Sequence, residues 1–308
     1  MLRKSTMSLL VLTALTSTCW AQVKLERKIP DGSSFTTDVR VTMDQTLTIV
    51  GMEIETNSET HMVSKSRAGN RANDGTLRVQ EKIESLQVNI GGAAGDYSFD
   101  SANADAAGNS PLEVIRGVHK SIAERTTTMV YGKDNLVEDV EFDEGILPSL
   151  STQVQAQVKG QLDPDAIKTV SNQTLKALPD DTVSKGDSWE RTELLNLGAG
   201  QEMTFEVEYT YNGTVQQGGK ELDKISLKVK TVEFTMEASD AIPLTLKDSY
   251  LEIGSSEGTI LFDRAAGRIV SSRQKTQIKG KINFEANGQE LPSTLDLKLN
   301  SETNEKAG

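Results

Sequence analysis

Residues 34–49 alternate without a break. The odd positions carry Phe35, Thr37, Val39, Val41, Met43, Gln45, Leu47 and Ile49, and the even ones Ser34, Thr36, Asp38, Arg40, Thr42, Asp44, Thr46 and Thr48. A period of two is the signature of a strand with one buried face. About 16 residues at roughly 3.3 Å each reach on the order of 50 Å, far beyond an ordinary strand of about 5 or 6 residues. A strand of that length must curve or carry a bulge, and the fold has to be built around it.

The same pattern recurs along both ends of the chain. After Gly51 the apolar phase moves to Met52, Ile54 and Met62, so Gly51 reads as a bend or turn. Lys65 to Gly75 reads as a polar loop. Leu77, Val79 and Ile83 share one phase and Leu86, Val88 and Ile90 the other, which a bulge near Glu84-Ser85 reconciles. Tyr97 to Ser101 is a short strand after the Gly91 to Gly95 connection. Met203, Phe205, Val207, Tyr209 and Tyr211 share a face before the turn signal Asn212-Gly213, and Gly218-Gly219 supplies another turn. A phase change predicts a bulge near Thr231. Tyr250 to Ile253 and Thr259 to Phe262 read as separate strands joined by a loop over Gly254-Ser255-Ser256-Glu257-Gly258; further strands cover Arg268 to Arg273, Ile278 to Phe284 and Leu295 to Leu299.

The middle of the chain is different. Ser110-Pro111-Leu112-Glu113 has a cap, a proline suited to the first helical position and a Glu placed to reach back to the cap. Leu112, Ile115, Val118 or His119, and Ile122 follow at helical spacing. Thr126 to Tyr131 and Leu136 to Phe142 form a hairpin across Gly132-Lys133-Asp134-Asn135. Leu150, Val154, Val158 and Leu162 suggest a second helix, although the segment also fits a strand. Asp163-Pro164 opens a third, carrying Ile167, Val170, Leu175 and Leu178. The fold class is α+β, mainly antiparallel β: a long curved, half-barrel-like sheet with a central insert of two to three helices around 110–178. Residues 22–308 read as a single elongated domain.

Arg3 and Lys4, the apolar stretch from Leu9 to Leu15 and the end at Cys19-Trp20-Ala21 read as a signal peptide over 1–21. Its apolar core is too short to span a bilayer, which takes about 20 residues, and no later segment is apolar enough for a transmembrane helix. Cleavage near Ala21 would leave a secreted or periplasmic chain without cysteine. Lipid attachment at Cys19 is the competing reading, disfavoured by Thr16, Thr18 and Trp20. The formal charge of -12, from 33 Lys and Arg against 45 Asp and Glu, argues against nucleic-acid partners.

Little in the chain carries chemistry. Gly254-Ser255-Ser256-Glu257-Gly258 has the Gly-x-Ser-x-Gly spacing but reads as a loop between strands, His-Glu-x-x-His is absent, and the only histidines are His61 and His119. Trp189, after Gly186-Asp187, reads as a packed residue in preference to a sugar platform. Asp143-Glu144 and Asp180-Asp181 read as solvated turn charges, and Asp100, Asn103 and Asp105 miss calcium-loop spacing. No cofactor, metal or catalytic residue is assigned, and the chain is expected not to be an enzyme.

Several stretches resemble an uncharacterised family of secreted bacterial proteins, a domain of unknown function. They are Tyr97 to Ser101, Gly132 to Val140, Leu178-Pro179 through Lys185-Gly186-Asp187-Ser188-Trp189, and Gly258 to Asp263 with Gly267-Arg268-Ile269. The order of strands, central helices and strands is similar to the LolA-like lipoprotein carriers, whose unclosed half-barrels hold acyl chains on the concave side. That resemblance implies a ligand groove. Its candidates are Phe35, Val39, Val41, Met43 and Leu47 on the long strand, Ile115 and Ile122 on the covering helix, and Phe205, Val207 and Tyr209 on a facing strand. The expected function is an extracytoplasmic binding protein for an apolar small molecule or lipid. The alternative is a scaffold that meets an extracytoplasmic protein partner.

Overall fold

The computed structural model describes residues 22–93, 95–106, 108–142, 163–198, 200–237 and 244–308. The expected signal peptide over 1–21, the helix expected around Leu150 to Leu162 and the Asp143-Glu144 pair lie outside the described residues.

Among the described residues twelve strands form one sheet: β1 Ser34–Ile49, β2 Met52–Ala68, β3 Leu77–Gly92, β4 Tyr97–Asp100, β5 Thr126–Tyr131, β6 Val137–Glu141, β7 Ser188–Gly198, β8 Gln201–Gln217, β9 Lys220–Met236, β10 Thr245–Asp263, β11 Arg268–Ala286 and β12 Gln289–Ala307. Their order is β6-β5-β3-β2-β1-β12-β11-β10-β9-β8-β7, with β4 pairing β3 beside β5. Every pairing is antiparallel. The sheet is open and curved, as the length of the alternating run requires. Helix α1, Arg116–Glu124, follows a 3₁₀ turn over Pro111–Ile115, and α2 spans Pro164–Lys176.

The local rules work where the chain turns on itself. Val50 and Gly51 both have positive φ, 50° and 81°, and join Ile49 to Met52 as a two-residue hairpin. Gly218-Gly219 and Asn287-Gly288 make the same kind of turn. The expected bulges are present: Glu84 is the extra residue on β3, and Lys230 the extra residue on β9. Asp163 caps α2, its Oδ1 accepting from the Asp165 and Ala166 amides.

Three sequence expectations are corrected. Gly254 to Gly258 is no loop, because β10 runs through it with a bulge between Ile253 and Ser255. Asn212-Gly213 does not end β8; the pair sits in a bulge between Tyr211 and Thr214. Glu113 does not reach back to its cap. It binds Arg116, 2.5 Å away, while Ser110 Oγ accepts from the Leu112 amide.

Helix α2 contacts both edge strands of the sheet. The Asn172 side chain accepts from the Val137 amide at 2.8 Å and donates to the Val137 carbonyl at 2.9 Å, on β6. Gln173 Oε1 accepts from the Leu194 amide at 3.0 Å, on β7. Arg191 of β7 donates to the carbonyls of Lys176 and Leu178, satisfying acceptors that a helix end leaves open. A helix is about 10–12 Å across, so the two edges lie that close together. The curved sheet is thereby rolled toward a barrel whose seam is filled by α2.

A segment ahead of β1 crosses one end of this barrel. Val23 bridges to Val183, the Lys28 amide donates to Gly267 and the Arg27 carbonyl accepts from Asn135. Val23, Leu25 and Ile29 are buried beneath it. This strap stitches the ends of distant hairpins together.

Candidate functional site

Strand register places one row of residues around the inside of the sheet. From β4 it reads Phe99, Val88, Thr60, Val41, Ser301, Gln274, Gly258, Leu227, Tyr209 and Trp189, each opposite the next. Both ends of the row are buried, at Phe99, Val88, Leu227 and Tyr209. Its centre is not: Val41 is 38% exposed. A rolled sheet of this many strands encloses more space than its own side chains fill, and the helices fill only the flanks.

The ten groove candidates fall into separate environments. Phe205, Val207 and Tyr209 face inward but are buried in the largest apolar cluster, against which Met43 and Leu47 pack. Phe35 packs on a second cluster, with Leu77, Val79, Tyr131 and residues of α2. Ile115 and Ile122 pack on a third, formed by Leu86, Val88, Tyr97 and Phe99. Val39 and Val41 belong to none of the three, so they form the open floor between filled flanks. Met62 beside Val39 packs on the third cluster and Leu299 beside Met43 on the largest, so they border that floor. Thr60 and Ser301 border Val41 with hydroxyls, a feature the alternation of β1 alone did not reveal.

Polar groups on the inner face are held by specific partners. His119 of α1 lies between Tyr97 and Phe99, and its Nδ1 is hydrogen-bonded with the Tyr97 hydroxyl at 2.7 Å. Burial, reinforced by Arg116, lowers the His119 pKa to about 4, and burial pushes Tyr97 up to about 12. Glu193 accepts from the Tyr209 hydroxyl, and burial raises both groups. Glu81 interrupts the inward apolar phase of β3; burial raises its pKa while Ser66, at 3.3 Å, opposes the shift. That break in the Leu77, Val79, Ile83 series was readable in the sequence.

The remaining polar candidates are accounted for locally. His61 contacts Asp38 at 3.0 Å on the outer face. Trp189 stacks on Tyr209 and donates to the Ala177 carbonyl. Asp100 accepts from the Ala102 amide, Asp105 pairs with Lys120, and Asp180 with Arg191. Among the described residues no three His, Cys, Asp or Glu side chains are placed to hold a metal ion.

A model described as a family of unknown function (DUF6263) matches residues 74–269. The chain belongs to that family. The DUF6263 match begins in the turn before β3 and ends in β11, so it contains α1, α2 and the whole seam. No curated protein matches the sequence. Among solved structures the chain is similar to lipovitellin, described for its lipid-protein interactions, with 10% identity over 91% of this chain and 25% of that one and a TM-score of 0.42. It therefore spans a quarter of the lipovitellin chain. A DUF1329 family protein from Desulfovibrio piger ATCC 29098 is similar at 7% identity over 86% of this chain and 84% of that one, TM-score 0.18.

Proposed function

We propose that this DUF6263 protein is an extracytoplasmic binding protein that holds an apolar or acyl-chain ligand along the inner face of β1, without converting it. The observation that carries this reading is the exposure of Val41 at the centre of an inward row whose ends are buried. Val39, Val41, Met43 and Leu47 share that face along one strand, with Met62 and Leu299 beside them. From Val39 to Leu47 the strand spans about 25 Å at roughly 3.3 Å per residue. An acyl chain, which fills about half of a roughly 30 Å hydrocarbon core, fits within that length.

The outer face supports a water-facing barrel. On β11 the outward positions include Arg273, Lys275, Lys279 and Lys281, where a membrane-spanning barrel carries an apolar band. Among the described residues no helix is long and apolar enough to cross a membrane. The extracytoplasmic location rests on the signal-peptide reading of the N-terminus.

Native mass spectrometry of the exported protein, with displacement of a fluorescent fatty acid, tests the proposal. A co-purified lipid is expected, and Val41→Asp should weaken the fatty acid at least tenfold while the melting temperature stays within a few degrees. Absence of any bound lipid or displacement, together with a specific cross-linked protein partner, would overturn it in favour of a scaffold.

A further inference from the structure

Between the strap and the adjacent strand ends lies a cavity of about 310 Å³. Ile29, Pro30, Phe35, Ala266 and Ala307 give it apolar walls. Its charge is unlike that of the rest of the chain. Arg27, Lys28, Lys220 and Arg268 line it against one carboxylate, Glu305, in a protein whose formal charge is -12. Lys220 is paired with Asp263 at 3.2 Å. Arg27 and Arg268 share Glu305, at 3.0 and 3.9 Å, and their side chains are only 14% and 16% exposed. One carboxylate between two poorly solvated guanidiniums leaves a local excess of positive charge.

Three buried side-chain atoms have no hydrogen-bond partner among the described residues: Arg27 Nε, Ser33 Oγ and Gln173 Nε2. Two of those residues, Arg27 and Ser33, line this one cavity, with the two unpartnered atoms themselves buried in its wall. A purely structural role, in which Arg27 fastens the strap to Glu305 and lies over the Phe35 ring at 5.8 Å, uses Arg27 Nη2 and the guanidinium face. It leaves Arg27 Nε and Ser33 Oγ without a partner, and buried donors without acceptors are rare in folded proteins.

We infer that this cavity is a binding site for a small anionic amphiphile, whose carboxylate or phosphate head meets Arg27, Arg268 and Ser33 and whose apolar body lies against Ile29 and Phe35. At about 30 Å³ for a water-sized volume, the space suits a ligand of about ten heavy atoms, the size of octanoate. Of the groove candidates only Phe35 lines it, so this site and the β1 floor stand or fall separately.

Isothermal titration of the full exported protein with octanoate, octyl phosphate, octanol and acetate tests the assignment. Octanoate or octyl phosphate should bind at least tenfold more tightly than both octanol and acetate, and the tighter of the two identifies the head group. Arg268→Gln should cost tenfold or more of that affinity, and Ala266→Leu, which fills the cavity and keeps every charge, should do the same. Lys281→Gln on the outer face should leave it unchanged. Octanol binding as tightly as both anions, no binding of either anion at millimolar concentration, or binding indifferent to both Arg268→Gln and Ala266→Leu would overturn the inference.

Discussion

Asn172 and Gln173 are neighbours on α2 yet hold opposite edges of the same sheet, Asn172 the backbone of Val137 on β6 and Gln173 the amide of Leu194 on β7. An open sheet leaves rows of unpaired backbone groups at its edges. Here two side-chain amides supply partners to both rows, so α2 takes the place that a further strand would occupy in a closed barrel.

Asn172→Ala leaves both the Val137 amide and carbonyl without their side-chain partner. Loss of a buried partner costs about 1–3 kcal/mol, so stability in urea should fall by that order. Hydrogen exchange should locate the effect, with Val137 to Glu141 losing protection while the centre of β12 keeps it. Equal loss across the sheet would mean that α2 is not a separate seam.

Val50 is a β-branched residue at φ 50°, 63% exposed, in a hairpin that wants residues at ease with positive φ. Asn287 occupies the equivalent place before Gly288 at φ 52°. Val50→Asn should therefore stabilise the protein by about 1 kcal/mol, and Asn287→Val should destabilise it by about the same amount. Paired thermal or urea melts of the two variants check the sign of each.

His119 gives the protein a pH-dependent contribution of known sign. Its folded pKa, about 4, lies below the 6.5 of a solvated imidazole because the ring is buried beside Arg116. Between these values the unfolded chain binds more protons, so the contribution is complete above about pH 6.5 and is lost as pH falls toward 4. At about 1.4 kcal/mol per unit it amounts to about 3 kcal/mol. Glu81 and Glu193, with raised pKa values, act in the opposite sense, their contribution fading as pH rises through the folded value. The difference between wild type and His119→Gln isolates the histidine: urea melts at pH 7.5, 5.5 and 4.5 should show the gap between them shrinking with acid.

Strand positions were legible because period two is written into each segment locally. The bulges at Glu84 and Lys230 were legible too, since each reverses the apolar phase. What escaped was long-range. Nothing near β1 announces that Val41 faces Ser301 across the sheet, or that the row continues to Tyr209. Asn212-Gly213 misled because the same positive φ that suits a turn also suits a bulge. Of the groove candidates, Val39 and Val41 could not be separated from Phe205 and Val207 by pattern, because an inward phase specifies a face and not whether another layer covers it. Arg268 and Glu305 meet at the paired ends of β11 and β12, and Arg27 joins them only through the strap, so no spacing connects the three.

Gly267 decides whether the strap can dock. Its φ is 66°, a conformation that costs a residue with a side chain about 1–2 kcal/mol, and a Cβ there would lie 2.5 Å from the Lys28 side chain and 2.8 Å from the Lys28 backbone nitrogen. The side chain can move aside. The backbone nitrogen cannot, because it donates to the Gly267 carbonyl at 2.7 Å. Overpacking of this kind adds about 1–3 kcal/mol, so Gly267→Ala should destabilise by about 2–5 kcal/mol in all. Because the contact joins the strap to a turn and not strand to strand, part of that cost is expected as local release. Trypsin should then cut after Lys24 or Lys28 well before it attacks the sheet, and octanoate affinity at the neighbouring cavity should fall with it. Unchanged proteolysis with a normal melt would show that the strap does not depend on this close approach.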